Sequence, residues 1–146
     1  MNTTAYIKHQ SYPENCAGAL MAPCFVSFTQ EICVKEALSC IRKIAPDTES
    51  IYTCYVTDEE KHLQGVITLK ELLLNSYETP VRNIMDKHVI STTTETDREE
   101  VVATFDKYDF LSLPVVDTEN HLVGIITVDD VMDALNKETT EDMEKR

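Results

Sequence analysis

Any chemistry in this chain has to come from carboxylates, because the familiar catalytic arrangements are missing from its sequence. No nucleophile motif, no phosphate-binding glycine loop and no G-x-G-x-x-G fingerprint occurs. His62, His88 and His121 stand in polar, turn-like contexts and read as surface residues, and His9 lies near the start of the chain. The reading is therefore not an enzyme. Asp and Glu number 26 against 13 Lys and Arg, a formal net charge of -13. Such a surface repels phosphate backbones, which excludes nucleic acid as a partner. It also makes divalent cations or basic surfaces the natural counter-charges. A hard divalent cation takes oxygen ligands and can keep several waters, so a few carboxylates per ion suffice. Two Thr-x-x-acid pairs, Thr68 with Glu71 and Thr127 with Asp130, have the spacing of a helix-capping box.

The elements that position these groups come from one pattern written twice, with a period of about 60 residues. The first copy runs Leu20-Met21-Ala22-Pro23, Val26-Ser27, a helical stretch, Tyr55-Val56-Thr57-Asp58, then Leu63-Gln64-Gly65-Val66-Ile67-Thr68. The second answers with Ile84-Met85-Asp86, Ile90-Ser91, a helical stretch, Pro114-Val115-Val116-Asp117, then Leu122-Val123-Gly124-Ile125-Ile126-Thr127. A short insertion at residues 45–50 distinguishes the first copy.

In the second copy Val101, Val102, Phe105 and Tyr108 share one helix face, with Asp97 as N-cap and Glu100 as its capping-box partner. Residues 111–116 and 122–127 form a hairpin around Asp117-Thr118-Glu119-Asn120, the return strand being buried on both faces. A second helix turns Val128, Val131, Met132 and Leu135 inward. The first copy reads likewise, with Val34, Ala37, Leu38, Ile41 and Ile44 on its helix, strands over 51–57 and 63–68, and a helix from Leu69. Each copy is β-α-β-β-α, too small to stand alone, so the two are expected to pack sheet against sheet in one α/β (α+β) module. A helix face carrying Phe105 and Phe110 is expected to lack a partner within the chain, which predicts a homodimer. The five cysteines are odd in number and contain no C-x-x-C, so they read as free thiols from a reducing compartment, with Cys40 and Cys54 in apolar surroundings. No apolar run is long enough for a membrane span.

The endings Gly65-Val66-Ile67-Thr68 with Glu71, and Gly124-Ile125-Ile126-Thr127 with Asp130, resemble the signature of CBS domains, and two in tandem resemble a Bateman module. Three stretches narrow the resemblance to MgtE magnesium channels. They are Tyr-Pro-Glu-Asn-Cys-Ala-Gly-Ala-Leu-Met at 12–21, Tyr-Asp-Phe-Leu-Ser-Leu-Pro-Val-Val-Asp at 108–117 and Thr-Thr-Glu-Asp-Met at 139–143. This implies residues 1–19 as the tail of a preceding domain and its linker, 20–79 and 80–137 as the two CBS domains, and 138–146 as the start of a connecting helix. The chain then reads as a soluble piece from the cytoplasmic side of the membrane, with an N-terminal helical domain before it and a transmembrane pore after it.

The resemblance also implies ligands. It places Asp97, Glu99, Asp109, Asp130, Glu138, Glu141 and Asp142 at inter-domain and inter-subunit boundaries as Mg2+-sensing positions. Asp97 and Asp130 have the competing role of serving helix N-termini, and the others that of solvated helix faces. Many CBS modules hold an adenine nucleotide such as ATP between repeats, the Thr hydroxyl and the acid meeting the ribose. Thr127 with Asp130 keeps that pair. Thr68 with Glu71 lengthens the acid by a methylene, and Lys70 stands where arginine is commoner, so the second pair is the preferred site. Phe110 is either an adenine-stacking ring or a core or interface residue. The reading is a magnesium-sensing regulatory module that gates a pore, against the alternatives of a stand-alone adenine-nucleotide sensor and a regulatory module attached to an enzyme.

Overall fold

Thr68, Asp97 and Thr127 each satisfy a first-turn N–H group of the helix that follows them. The computed structural model describes residues 15–48 and 50–144, with side chains as far as Asn136. Helix α1 (Ala17–Leu20) and strand β1 (Ser27–Phe28) precede α2 (Val34–Ile44), whose N-cap Cys33 receives the Glu36 carboxylate on its N–H at 3.2 Å. Val34, Ala37 and Ile41 form its buried stripe. The expected insertion is a short 3-10 turn (Ala45–Asp47), followed by β2 (Thr53–Thr57), β3 (Leu63–Thr68) and α3 (Leu69–Leu74).

The second copy repeats this with β4 (Thr92–Thr93), α4 (Arg98–Tyr108), β5 (Ser112–Val116), β6 (Leu122–Thr127) and α5 (Val128–Glu144). Asp97 caps α4 as expected, but its carboxylate accepts from Glu99 N–H at 3.3 Å rather than from Glu100. The helix ends at Asp109, which takes the left-handed conformation, φ 55. In each copy the first strand pairs parallel with the second and the second antiparallel with the third. Two three-stranded sheets result.

Period-two alternation gives each sheet two jobs. Cys54, Val56 and Ile67 face α2 in the first core, while Leu113, Val115 and Ile126 face α4 in the second. The opposite faces send Tyr55, Leu63, Val116, Leu122 and Ile125 into a third cluster between the sheets. Sheet packs on sheet, as the pattern requires. Burial pushes the Cys54 thiol up to about 12, with nearby Cys40 adding to the shift, so it stays protonated and acts as a small core hydrophobe. At the seam the Tyr55 hydroxyl hydrogen-bonds to Ser112 Oγ at 2.6 Å, and burial raises the phenol pKa so that it remains neutral.

The two copies are also cross-connected. Ala17 and Met21 pack in the second core, and Ala22 exchanges N–H···O bonds with Ile125 at 2.7 and 3.0 Å. Reciprocally, Val81, Ile84 and Met85 pack in the first core, and Asp86 exchanges bonds with Val66 at 2.8 and 2.9 Å. The stretch before each copy's first strand therefore lies on the other copy's sheet. This crossing accounts for the glycine in both signatures. A Cβ on Gly124 would stand 2.6 Å from Met21 Sδ and 3.0 Å from the Ala22 carbonyl oxygen. One on Gly65 would stand 3.0 Å from the Asp86 carbonyl oxygen.

The hairpin turns join the copies at a third place and correct the reading of two histidines. Asp58 accepts from the N–H groups of Glu60 and His62 at 2.9 and 2.8 Å, and Asp117 accepts from those of Glu119 and His121 at 2.9 Å each. Lys61 and Asn120 supply the positive φ each turn requires. Leu63 N–H then donates to Asn120 O at 3.1 Å, and Leu122 N–H to Lys61 O at 2.8 Å. His62 and His121 stack with centroids 4.5 Å apart, each with Nδ1 on its own aspartate at 2.9 and 3.0 Å. They are half-buried seam residues rather than free surface groups; His88 is the exposed one. Two other expectations also change. Phe105 is buried in the second core rather than waiting for a partner. Met132 is exposed, because Val128, Val131 and Leu135 already fill the inner face of α5.

Gly124→Ala is expected to destabilise the fold by about 1–3 kcal/mol, as overpacking against Met21 and the Ala22 backbone does. Gly65→Ala should cost less, and equal losses in denaturant melts would refute the crowding at Met21. A second outcome concerns pH. The hydrogen bond to Asp58 holds His62 above the ordinary 6.5. A raised folded value favours the charged form, so its stabilisation is complete in mild acid and is lost as pH rises through that value. Between about pH 6 and pH 8.5 the wild type should lose stability relative to His62→Gln, and parallel pH profiles would contradict this.

Candidate functional site

The seam leaves a cleft of about 260 Å³ where the first sheet faces the start of β5. Its floor is Thr53 and Tyr55 of β2 with Val66 of β3. The crossing stretch after Asp86 supplies His88, Val89 and Ile90, and the turn out of α4 supplies Phe110 and Leu111. Thr68 and Glu71 stand at its polar edge. Thr68 Oγ1 accepts from Glu71 N–H at 3.2 Å and donates to Glu71 Oε1 at 3.0 Å, and Oε1 also accepts from Thr68 N–H at 3.0 Å. The pair is thus a reciprocal helix cap that also presents a hydroxyl and a carboxylate to the cleft. Lys70 lies on an adjoining apolar groove of about 500 Å³, which shares Thr53, Thr68 and Leu111 with the cleft and continues over Tyr52, Leu73 and Leu74.

Of the nucleotide positions expected from the sequence, Thr68, Glu71 and Phe110 converge on this one cleft, and Lys70 borders it. Thr127 and Asp130 form the same cap in the second copy, at 3.4 and 3.2 Å, but do not line this cleft. The cleft therefore gathers around the pair that the sequence ranked second. Sequence reasoning missed Tyr55, His88, Val89 and Ile90. Tyr55 is visible there only as a strand residue, and residues 86–90 carry no periodicity that would assign them to a face.

The acidic positions are dispersed. Asp97 and Glu99 are exposed at the start of α4, Asp109 is exposed at its end, and Asp130 is half-buried in its cap. The side chains of Glu138, Glu141 and Asp142 lie outside the described residues. Among the described residues no three His, Cys, Asp or Glu side chains come together as a metal site. Carboxylate oxygens are the right donors for a hard divalent ion, which needs one or two of them besides water. Here each location offers one or two, so a fuller site requires another surface.

A CBS-domain family model matches residues 81–137. The magnesium transporter MgtE of Thermus thermophilus is 47% identical over 134 residues, and that of Bacillus subtilis 41% over 135; each match takes in 92% of this chain. The chain spans 30% of the length of both relatives. Among solved structures, the cytosolic domain of the Mg2+ channel MgtE in complex with ATP superimposes with a TM-score of 0.87 at 44% identity, covering 90% of this chain and 53% of that one. Among the described residues, no helix is long and apolar enough to cross a membrane. The repeat, the two sheets, the doubled Thr-x-x-acid caps and these matches lead to one assignment: the chain belongs to the CBS-domain family and is a CBS pair of the MgtE type.

Proposed function

We propose that this chain is the regulatory part of a magnesium transporter, responding on the cytoplasmic side to Mg2+ and holding an adenine nucleotide in the cleft beside Thr68. The observation that carries this reading is the match to magnesium transporters across both repeats, at 41% and 47% identity. Its chemistry is binding, not turnover. The rest of such a transporter would comprise a preceding helical domain and a membrane pore.

The physical basis of the response is charge. At -13 the chain's acidic faces repel one another and any acidic neighbour. Asp97, Glu99, Asp109 and Asp130 sit at helix ends on the second repeat, where they can meet carboxylates of another domain or a second copy. The helix bearing Glu138, Glu141 and Asp142 continues unbroken from the second core, so a change at that surface passes directly to whatever α5 leads into. Two acidic faces that share a divalent ion favour an approached state, and the same faces without it favour separation. A ligand shifts such an equilibrium only by binding one state better than the other. For a second molecule of this chain there is an apolar surface at Tyr52, Leu73, Leu74 and Leu111, which are exposed together beside Lys70. Apolar surface there allows two acidic chains to associate as a homodimer. For the nucleotide, the cleft offers an aromatic ring, a threonine hydroxyl, a carboxylate and a neighbouring lysine, matching a base, a ribose and phosphates.

Thermal melting of the chain in MgCl2 and in NaCl at matched ionic strength tests the magnesium reading. Sodium chloride only screens, whereas a bound ion stabilises by RT ln(1 + [L]/Kd), about 2.7 kcal/mol at a hundredfold excess over Kd. The expected extra rise in Tm is roughly 5–10 °C for a chain of this size. Replacing Asp97, Glu99, Asp109 and Asp130 by their amides should raise Tm without magnesium and abolish the extra response. Identical curves in the two salts would show the acidic surface to be ordinary solvated charge.

A further inference from the structure

The aromatic wall of the cleft is not held by the core alone. Phe110 stacks on Tyr108 with ring centroids 5.2 Å apart and planes 10° from parallel. Residues two apart on a helix point to different sides and cannot stack. These two can because Asp109 between them leaves the helical conformation, with φ 55 and ψ 36, as α4 ends. The Lys107 ammonium lies over the other aromatic of the pair, 5.1 Å from the Tyr108 centroid, where the electron-rich ring face attracts it. Lys107 and Phe110 thus both meet the Tyr108 ring, and Phe110 lines the cleft, while Tyr108 lines neither the cleft nor the groove beside it. Tyr108 is 42% exposed, so it adds little to the core.

We propose that Tyr108 is a positioning residue for the ligand: it holds the Phe110 ring in the orientation that receives a purine base. The proposal rests on the nucleotide reading of the cleft and adds the group that prepares it. A ring on a loop that must be immobilised during binding weakens affinity, whereas one already fixed in the free protein does not. The stack supplies that fixation from outside the cleft. Tyr108 acts through its ring face, so phenylalanine can replace it and an aliphatic side chain cannot.

The test titrates the whole chain, as wild type, Tyr108→Phe and Tyr108→Leu, with ATP by calorimetry and with ethenoadenosine triphosphate by fluorescence. Stacking on an aromatic ring quenches the etheno base, and the quench at saturation reports ring orientation independently of affinity. Tyr108→Phe is expected to bind within about twofold of wild type, and Tyr108→Leu about three- to tenfold more weakly, the range of one aromatic pair. The saturated quench should fall only in Tyr108→Leu, with melting temperature retained in both variants. Wild-type affinity and quench in Tyr108→Leu would overturn the positioning role and leave the nucleotide reading standing. Equal losses in both variants would also overturn it, by assigning the effect to the hydroxyl. Wild-type protein that binds neither nucleotide at millimolar concentration would instead remove the reading of the cleft, and the proposal with it.

Discussion

Everything functional in this chain depends on two small sheets being pressed together along their inner faces. Each sheet has three strands and covers one face with its own helices, which leaves the other face apolar and unsatisfied. Tyr55, Leu63, Val116, Leu122 and Ile125 satisfy both at once. The crossing stretches at Met21 and Met85 then sew each copy into its neighbour's core. Neither copy owns a complete core, and cooperativity between them follows from that sharing rather than from any one bond. The 2.6 Å contact between Tyr55 and Ser112 fixes the register of the seam, because two buried hydroxyls must find each other or remain unpaired.

The cleft is a by-product of this geometry. Where the sheets meet at the start of β5, the turn out of α4 brings Phe110 opposite the first copy's Thr68 and Glu71. A side chain from one repeat thus completes a site opened by the other. The Thr-x-x-acid pair serves two purposes: it satisfies the first N–H groups of a helix, and it presents oxygen atoms to the cleft. The structural and the binding reading of that pair therefore do not compete. The acidic positions follow another logic. They lie at helix ends, where charge is tolerated, and among the described residues no three His, Cys, Asp or Glu side chains close into a metal site.

Much of this is legible in the sequence. The repeat, the β-α-β-β-α order, both hairpins and both caps depend on local patterns of apolar spacing and turn residues, and those patterns persist in the fold. What the sequence hid was long-range. Met21 reads as an ordinary apolar residue, and nothing local shows that it packs under Gly124. His62 and His121 sit in turns, and turns read as solvent; only the pairing of two turns makes them a stacked pair. Phe105 and Met132 were both read from helical spacing, but the rotation of each helix against its sheet decided which was covered. That Phe110 of the second repeat borders the same cleft as Thr68 and Glu71 of the first is likewise a long-range fact, invisible in local spacing.

The central claim is that the two repeats form one cooperative unit, and native-state amide hydrogen exchange tests it most directly. The backbone amides of β2 and β5 lie in different repeats and are the interior strands of their sheets. Amides in one cooperative unit open together. The account predicts that both sets exchange through the same opening, with equal free energies and the same dependence on denaturant, and that Gly124→Ala lowers both equally. If β5 opens at a lower free energy while β2 stays protected, the repeats are separable, and a cleft built from both cannot be the stable feature described.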